Sequence, residues 1–242
     1  MQKQPPFWGT KILDNISIED VINLINKDAL FPSRWQFRQG QTTDEWAILK
    51  EKKILPIFEQ ISIKVKVENI FTPKIVYGYF KCKNDGNLLF VTNANDAVIS
   101  FSFPRRGQEP HLCVADFFPD GFVAMQLVTI GSQIFDKSTK LFKEGKYSDL
   151  FYLKGFAAEM AEALAEYGHS HIRAELDVPE TQGARFSFGY PALPNLAGNK
   201  KLYDILNARR IDVKITATYQ MVPEYSTSAI ISVDKSAKLF RS

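Results

Sequence analysis

The feature that most constrains the fold is a series of short aromatic or β-branched runs between residues 75 and 130. Asn84, Asp85 and Gly86 form a strong turn signal after the first run, which predicts a β-hairpin with the second run. Because short turns connect antiparallel neighbours, this part of the chain predicts an antiparallel sheet. The runs with strand composition lie at residues 76–80, 88–91, 98–101, 112–114 and 122–129.

Helical signals surround this central part. Ser17 is typical of a helix N-cap, with Asp20 three residues later. A second helix is predicted to begin near residues 43–45, and Pro56 is expected to bend or split it. Helices are predicted again from about residue 132 to residue 177. Strands gathered between helices indicate the α+β class, with a central twisted antiparallel sheet flanked by helices.

The end of the chain completes this picture. Strand-like runs lie at residues 213–221 and 228–233. No internal repeat, low-complexity tract or long linker divides the sequence, so we expect a single domain over residues 1–242. The absence of Gly-x-Gly-x-x-Gly after a strand argues against a Rossmann fold.

The longest predicted helix carries an apolar stripe. Glu159, Glu162 and Glu166 fall on the other side of the helix, which is its polar face. His171 ends the stripe and is predicted to be a core histidine, whereas His169 is predicted on the polar face. Residues two apart point to opposite sides, so these histidines cannot chelate one metal. The stripe consists of Leu153, Phe156, Ala157, Met160, Leu164, Tyr167 and His171.

The composition predicts a soluble protein with a substantial core. Of 242 residues, 45% are hydrophobic and 13% are aromatic. The 30 basic and 27 acidic residues leave a net charge of +3, which is too balanced for nucleic acid as the main partner. Cys82 and Cys113 are expected to be buried thiols. We see no signal peptide and no apolar run that could span a membrane, so we expect a cytoplasmic location.

Motifs for familiar catalytic chemistry are absent from the sequence. There is no Walker loop, no Gly-x-Ser-x-Gly elbow and no His-Glu-x-x-His arrangement. Three histidines and two cysteines without ligand spacing predict no metal site. No catalytic residue is assigned, although a mechanism based on paired carboxylates stays open because acidic residues are plentiful.

Residues 185–191 are the segment most suggestive of a binding site. Arg185 offers a planar fork of donors that fits a carboxylate. Gly189 permits backbone torsions that a Cβ would forbid, and Pro191 biases Tyr190 toward an extended conformation. These features suit a zwitterionic ligand with a flat ring. A surface turn with an ordinary arginine is the alternative interpretation.

Five motifs, in the same order, resemble the activation domain of cobalamin-dependent methionine synthase. Residues 185–191 are similar to its Arg-x-Ala-x-Gly-Tyr-Pro signature, which binds S-adenosylmethionine in that family. The resemblance runs from about Pro6 to Phe240 and implies the family's fold for nearly the whole chain. The other matching stretches are residues 6–10, 77–80 with 84–86, 103–105 with 113–117, and 165–169.

The resemblance also implies roles for individual residues. Arg185 would bind the carboxylate of the ligand, and Ser187 would contact the ligand through its main chain, where the family usually has Ala. Tyr190 matches a tyrosine near both the ligand and the corrin ring. Asn26 matches a position where a family member carries an Asp for the donor's amino group. Glu180 would face the sulfonium, with a solvated loop carboxylate as the alternative.

The same resemblance implies a stand-alone activation subunit, because two other family modules leave no trace. The cobalamin motif Asp-x-His-x-x-Gly and a cysteine-rich zinc site are both absent. As a methyltransferase component with S-adenosylmethionine as its ligand, the chain would support reductive methylation of cob(II)alamin on a separate methionine synthase chain. Flavodoxin or a similar reductase would supply the electron. A reactivase for another corrinoid protein and a non-catalytic S-adenosylmethionine-binding module are the alternatives.

Overall fold

A computed structural model of the protein describes residues 4–38 and 42–240. Within these residues, seven strands form one sheet in the order β4-β3-β2-β5-β9-β6, with β1 paired to β2, and every pair is antiparallel. The predicted α+β class with a central antiparallel sheet is confirmed. The strands of this sheet are β1 (Gly9–Leu13), β2 (Lys74–Asp85), β3 (Leu88–Thr92), β4 (Val98–Ser102), β5 (Gly121–Thr129), β6 (Ala184–Phe186) and β9 (Ser226–Ser232).

The long strand β2 holds the two halves of the sheet together. Its first half pairs with β1, so that Gly9 lies opposite Tyr79, and its second half forms the hairpin with β3 that the turn signal predicts. Gly86 lies in the tight connection with φ +65°, a conformation that favours glycine. At Gly78 a Cβ would overlap the carbonyl oxygen of Gly9, so only glycine lets β1 approach this closely.

Two predicted strand regions fold differently. The run at residues 112–114 forms no strand, and a 3₁₀ turn covers Val114–Phe117 instead. The carboxylate of Asp116 accepts the Cys113 N–H at 2.8 Å, and this local bond favours the turn over an extended chain. Residues 213–221 contribute only to a ribbon of two short strands, β7 (Lys214–Ile215) and β8 (Met221–Val222).

Seven α-helices occur among the described residues, and the predicted starts of the early ones are confirmed. The Ser17 hydroxyl accepts the Asp20 N–H at 3.3 Å, and Thr42 with Glu45 forms a capping box. The predicted second helix is interrupted close to Pro56, because α3 ends at Leu49 and a π-helical segment, Lys50–Ile54, connects it to α4. Pro56 lies in the first turn of α4, where its missing N–H is tolerated. The helices are α1 (Ile18–Asn23), α2 (Lys27–Ala29), α3 (Thr43–Leu49), α4 (Leu55–Val67), α5 (Gln133–Lys143), α6 (Tyr147–Leu176) and α7 (Gly198–Leu206).

The sheet carries a hydrophobic core on each face, because side chains alternate along its strands. On one face, Tyr77, Tyr79 and Ala124 belong to a cluster that includes the inner sides of α1, α4 and α6. On the other face, Val76 and Met125 join a cluster with α7 and the 3₁₀ turn. The free thiols of Cys82 and Cys113 are buried in this second core, as predicted, and burial raises the pKa of Cys82 to about 12.

Helix α6 is covered on more sides than its sequence pattern predicts. A second π-helical segment, Leu30–Arg34, packs beside it, and the Trp35 ring nitrogen donates to the Tyr152 carbonyl at 2.9 Å. The burial of the two histidines is the reverse of the prediction. The His169 side chain is 2% exposed, whereas that of His171 is 35% exposed. A helical periodicity cannot show that a second element covers the polar face.

One polar cluster fastens α6 to the sheet. Glu175 accepts hydrogen bonds from the hydroxyls of Tyr77, at 3.0 Å, and Tyr79, at 2.8 Å. His171 Nε2 lies 3.1 Å from the Tyr77 hydroxyl, and the Phe7 ring packs edge-on against both tyrosines. Burial, and then the carboxylate, raises the pKa of both phenols. We call Glu175, Tyr77, Tyr79 and His171 the Glu175 cluster.

Candidate functional site

The candidate site lies where the sheet ends. Strand β6 is the last in the sheet order, so its outer edge has no strand neighbour among the described residues. After β6 the chain makes a tight turn, in which the Leu193 N–H donates to the Tyr190 carbonyl at 2.8 Å. Gly189 adopts φ +88° before this turn, as its position in the motif predicts. The turn leaves the Tyr190 side chain 47% exposed.

A cavity of about 460 Å³ opens beside β6 and this turn. Its size falls within the range of small-ligand sites. A second cavity, between α5, α6 and Tyr225, has about 220 Å³, and its walls lack an arginine. The larger cavity is lined by Glu162, Arg185, Phe186, Ser187, Tyr190, Pro191, Ala192, Leu239 and Phe240, which combine charged groups with an apolar wall.

Arg185 projects from β6 between two carboxylates of α6. Its Nη1 donates to Glu166 Oε2 at 2.9 Å, and its Nη2 lies 3.5 Å from Glu162 Oε2. The side chain is 18% exposed and lines the cavity. Because a guanidinium has five N–H donors, these two contacts leave capacity to bind a further anion.

Glu162 bridges Arg185 and Tyr190. Its Oε1 accepts a hydrogen bond from the Tyr190 hydroxyl, while its Oε2 faces Arg185. Burial, and then this carboxylate, raises the pKa of the Tyr190 phenol, so the hydroxyl keeps its proton at neutral pH. We call Glu162, Arg185 and Tyr190 the Glu162 cluster.

Glu166 lies behind this cluster and contacts two arginines. Arg173 Nη1 donates to its Oε1 at 2.9 Å, and Arg185 donates to its other oxygen. Burial alone would raise the pKa of Glu166, but the contacts with His169, Arg185 and Arg173 outweigh it and lower the pKa to about 2. His169 Nδ1 lies 3.8 Å from Glu166 Oε2, and burial lowers the pKa of this histidine. Glu166 is therefore an anion at neutral pH.

A third arginine reaches the same helix. Arg34, at the end of the π-helical segment, donates through Nε to Glu159 Oε1 at 2.7 Å. Glu159 is buried, and its hydrogen bond raises the pKa of Arg34. Glu162 and Tyr190 also contribute to that rise, so Arg34 lies close enough to the Glu162 cluster to interact with its charges.

The predicted site residues divide into two groups. Arg185, Ser187 and Tyr190 line the cavity together. Asn26 instead caps α2, and its Oδ1 accepts the N–H groups of Asp28 and Ala29, both at 3.1 Å. Glu180 is exposed in the loop between α6 and β6. In the part of the chain that the structure describes, neither Asn26 nor Glu180 lines the cavity, and their binding roles stay predictions.

Sequence reasoning missed several residues of the site. The helical pattern places Glu162 and Glu166 on the side opposite the core, and their spacing of four residues sets them side by side, but it gives them no role in a site. The segment after β9 brings Leu239 and Phe240 to the cavity as an apolar wall, and the Phe240 ring packs 6.1 Å from Phe117. No pattern in the sequence signals this wall, because it depends on how the last residues cross the sheet.

Two features are absent from the residues that the structure describes. Within residues 4–38 and 42–240, no group of three His, Cys, Asp or Glu side chains could hold a metal ion. Over the same residues, none of the helices combines the length and apolar character needed to cross a membrane. The site offers an arginine fork, a carboxylate and an apolar wall, which are means of binding a ligand.

Residues 17–242 match the model of one protein family, the activation domain of vitamin B12 dependent methionine synthase. The chain belongs to this family. It is similar to the methionine synthases of Mycobacterium tuberculosis, at 32% identity, and Mycobacterium leprae, at 31% identity. Each alignment covers 98% of this chain but 23% of the relative, so the chain spans about a quarter of their length.

The fold of this activation domain is also found in a solved structure. The crystal structure of the MetH reactivation domain bound to AdoHcy superposes with a TM-score of 0.83 at 20% sequence identity. The match covers 99% of this chain and 82% of the other chain. At this identity the similarity establishes the fold, and the family resemblance drawn from the motifs is confirmed by the family match.

Proposed function

We propose that the chain binds S-adenosylmethionine in the cavity beside β6 and presents its methyl group to cob(II)alamin held by a separate protein. The observation that carries this proposal is the meeting of Arg185, Glu162, the open edge of β6 and an apolar wall around one cavity. The family membership and the AdoHcy bound to a domain of the same fold support it.

Each part of the ligand has a matching group in the cavity. The ligand carboxylate pairs with Arg185, as a charge-assisted contact of the fork geometry. Glu162 is the anion beside it and attracts the ammonium and sulfonium charges. The main chain at Ser187, just past the paired part of β6, provides hydrogen-bonding groups. Leu239 and Phe240 form the apolar surface for the adenine ring.

The role in the reaction is to position the methyl donor. In reactivation, one electron from flavodoxin or a similar reductase and one methyl group convert cob(II)alamin to methylcobalamin and leave S-adenosylhomocysteine. The protein contributes by fixing the donor so that its methyl faces the cobalt. Tyr190 is half-exposed and lines the cavity, and its ring offers a surface that a flat corrin could approach.

The proposal allows more than one cobalamin-binding partner protein. A cobalamin-binding methionine synthase chain is the first choice, because the curated relatives are methionine synthases. A different corrinoid protein would need the same cavity and another docking surface. A sensor of S-adenosylmethionine would need the cavity alone. We keep the cytoplasmic location as a prediction.

Calorimetry and a methylation assay test the proposal in sequence. Wild-type protein is titrated with S-adenosylmethionine and S-adenosylhomocysteine. It is then mixed with a cobalamin protein, a reductant and the donor, and methylcobalamin is followed by its absorbance. We expect binding of both ligands and faster methylcobalamin formation with the chain present. Failure to bind either ligand would refute the proposal. Binding without faster methylcobalamin formation on any cobalamin protein would favour the sensor function.

A further inference from the structure

Glu166 is held from behind by a buried arginine that has no place in the cavity lining. Arg173 is 8% exposed, and its Nη1 donates to Glu166 Oε1 at 2.9 Å. Its Nε donates to the Gln182 carbonyl at 2.9 Å, and the Gln182 side chain donates to the Val233 carbonyl at 2.7 Å. This chain of bonds ties the carboxylate to the loop before β6 and to the end of β9.

The second oxygen of Glu166 contacts Arg185. We propose that Glu166 is a positioning residue, which fixes the Arg185 guanidinium so that its remaining N–H groups point at the carboxylate of the bound nucleoside amino acid. This inference rests on the proposed function. It assigns a role to a residue that does not itself line the cavity.

The two glutamates differ in how firmly they hold Arg185. The Glu166 contact is 2.9 Å long, and its carboxylate is itself fixed by Arg173. The Glu162 contact is 3.5 Å long, and that carboxylate also accepts a hydrogen bond from the hydroxyl of Tyr190, which is half-exposed. A ligand carboxylate can therefore replace Glu162 at Arg185 while Glu166 keeps its place.

Charge gives a second reason for this division of roles. Arg173 and Arg185 carry like charges and share one carboxylate, so Glu166 offsets the repulsion that would push Arg185 away. A long arginine side chain also has several rotamers in free solution. One firm bond at Nη1 removes most of them before the ligand arrives, and this preorganisation favours binding.

A purely structural role for Glu166 makes a different prediction, and two ligands separate the two roles. S-adenosylhomocysteine carries the carboxylate that Arg185 would bind. 5′-Methylthioadenosine has the same adenosine and thioether but no carboxylate. A residue that acts through Arg185 affects only the first ligand. A residue that supports the cavity as a whole affects both ligands equally.

The test is calorimetry of wild-type protein and Glu166→Gln with both ligands. We expect Glu166→Gln to weaken binding of S-adenosylhomocysteine by about tenfold or more, as for loss of one charge-assisted anchor. Its affinity for 5′-methylthioadenosine should stay within about twofold of wild type. Glu175→Gln is the matched control, because Glu175 lies on the same helix in the Glu175 cluster. It should bind both ligands as wild type does.

A double variant checks that the effect passes through Arg185. Once Arg185→Ala is present, adding Glu166→Gln should change S-adenosylhomocysteine affinity by less than about twofold. Equal weakening of both ligands in Glu166→Gln, or unchanged S-adenosylhomocysteine affinity, would overturn the inference while leaving the proposed function intact. If wild-type protein binds neither ligand, the proposed function fails and this inference fails with it.

Discussion

Glu162 and Glu175 both lie on α6 and both accept hydrogen bonds from tyrosine hydroxyls, but their surroundings differ. In the Glu175 cluster, Tyr77 and Tyr79 are at most 1% exposed, and Phe7 covers their rings. In the Glu162 cluster, the tyrosine is 47% exposed and an arginine shares the carboxylate beside a cavity. The same pair of functional groups fastens a helix in one place and lines an open cavity in the other.

What distinguishes the two clusters is spare binding capacity next to open space. The hydroxyls of Tyr77 and Tyr79 each have a partner in a closed core, so a ligand has no access to them. At the Glu162 cluster, Arg185 has more donors than partners, and the cavity lies in front of it. The type of a residue is therefore a weaker guide to function than the presence of an open cavity beside it.

The strongest contrast between the clusters should appear in stability. Tyr79→Ala removes a fully buried ring and is expected to lower the free energy of unfolding by about 3–5 kcal/mol. Tyr190→Ala removes a half-exposed ring and should cost about 1 kcal/mol or less. Urea unfolding followed by circular dichroism measures both. Equal losses would mean that the two clusters have the same structural role.

Ligand binding should show the reverse contrast. Arg185→Ala is expected to weaken S-adenosylhomocysteine binding by about 2–3 kcal/mol, because a charge-assisted pair is lost. Lys11→Ala, which removes a cation 3.9 Å from Glu175, serves as the control and should bind normally. Calorimetry gives both affinities. An unchanged affinity in Arg185→Ala would refute the assignment of the carboxylate site.

Within the Glu162 cluster, substitutions of Arg185 and Tyr190 should reduce different measured quantities, ligand affinity for Arg185 and methylcobalamin formation for Tyr190. Tyr190→Ala is expected to slow methylcobalamin formation on the partner protein by about tenfold, because its half-exposed ring lines the cavity and is proposed to face the corrin. Its effect on ligand affinity should stay below about 1 kcal/mol. The assay supplies a reductant and S-adenosylmethionine at saturation. Stimulation equal to wild type would show that Tyr190 does not face the corrin.

The smallest expected effect concerns pH. Because the Glu166 pKa is about 2 in the folded chain and near 4.5 in the unfolded chain, its carboxylate stabilises the fold fully above pH 4.5. That contribution is lost as the pH falls from about 4.5 to about 2, and solvent screening limits it to about 1 kcal/mol. Unfolding of wild type and Glu166→Gln across this range should therefore converge in acid. A difference that stays constant would place the effect elsewhere.

Much of the fold could be predicted because the turn and cap preferences of neighbouring residues agree with the structure that these residues adopt. The hairpin around Gly86, the cap at Ser17 and the helix start near residues 43–45 form from neighbouring residues, and the structure has them as expected. The run at residues 112–114 was misjudged because one side-chain bond, from the Cys113 N–H to Asp116, decides its conformation. Patterns of residue type do not record such single contacts.

The site was predicted only in part, for a different reason. Arg185, Ser187 and Tyr190 are consecutive enough to form a motif, so the sequence can reveal them. Glu162 reaches them from a helix more than twenty residues earlier. Its contact with Arg185 can be recognised only from the position of β6 at the edge of the sheet. His169 is buried beside Glu166, Arg173 and Arg185, and a helical pattern cannot include the last of these, which lies on β6.

The bridge made by Glu162 would turn the proposed ligand binding at Arg185 into an exchange of anions. The arginine already faces a carboxylate. In the proposed complex it would face the carboxylate of the ligand, while Glu162 would become available to the ammonium and sulfonium. The number of ion pairs is nearly the same on both sides of this equilibrium. Added salt weakens the pairs on each side to a similar extent. The affinity for a zwitterionic ligand should therefore be nearly independent of ionic strength, in contrast to binding at an unpaired arginine.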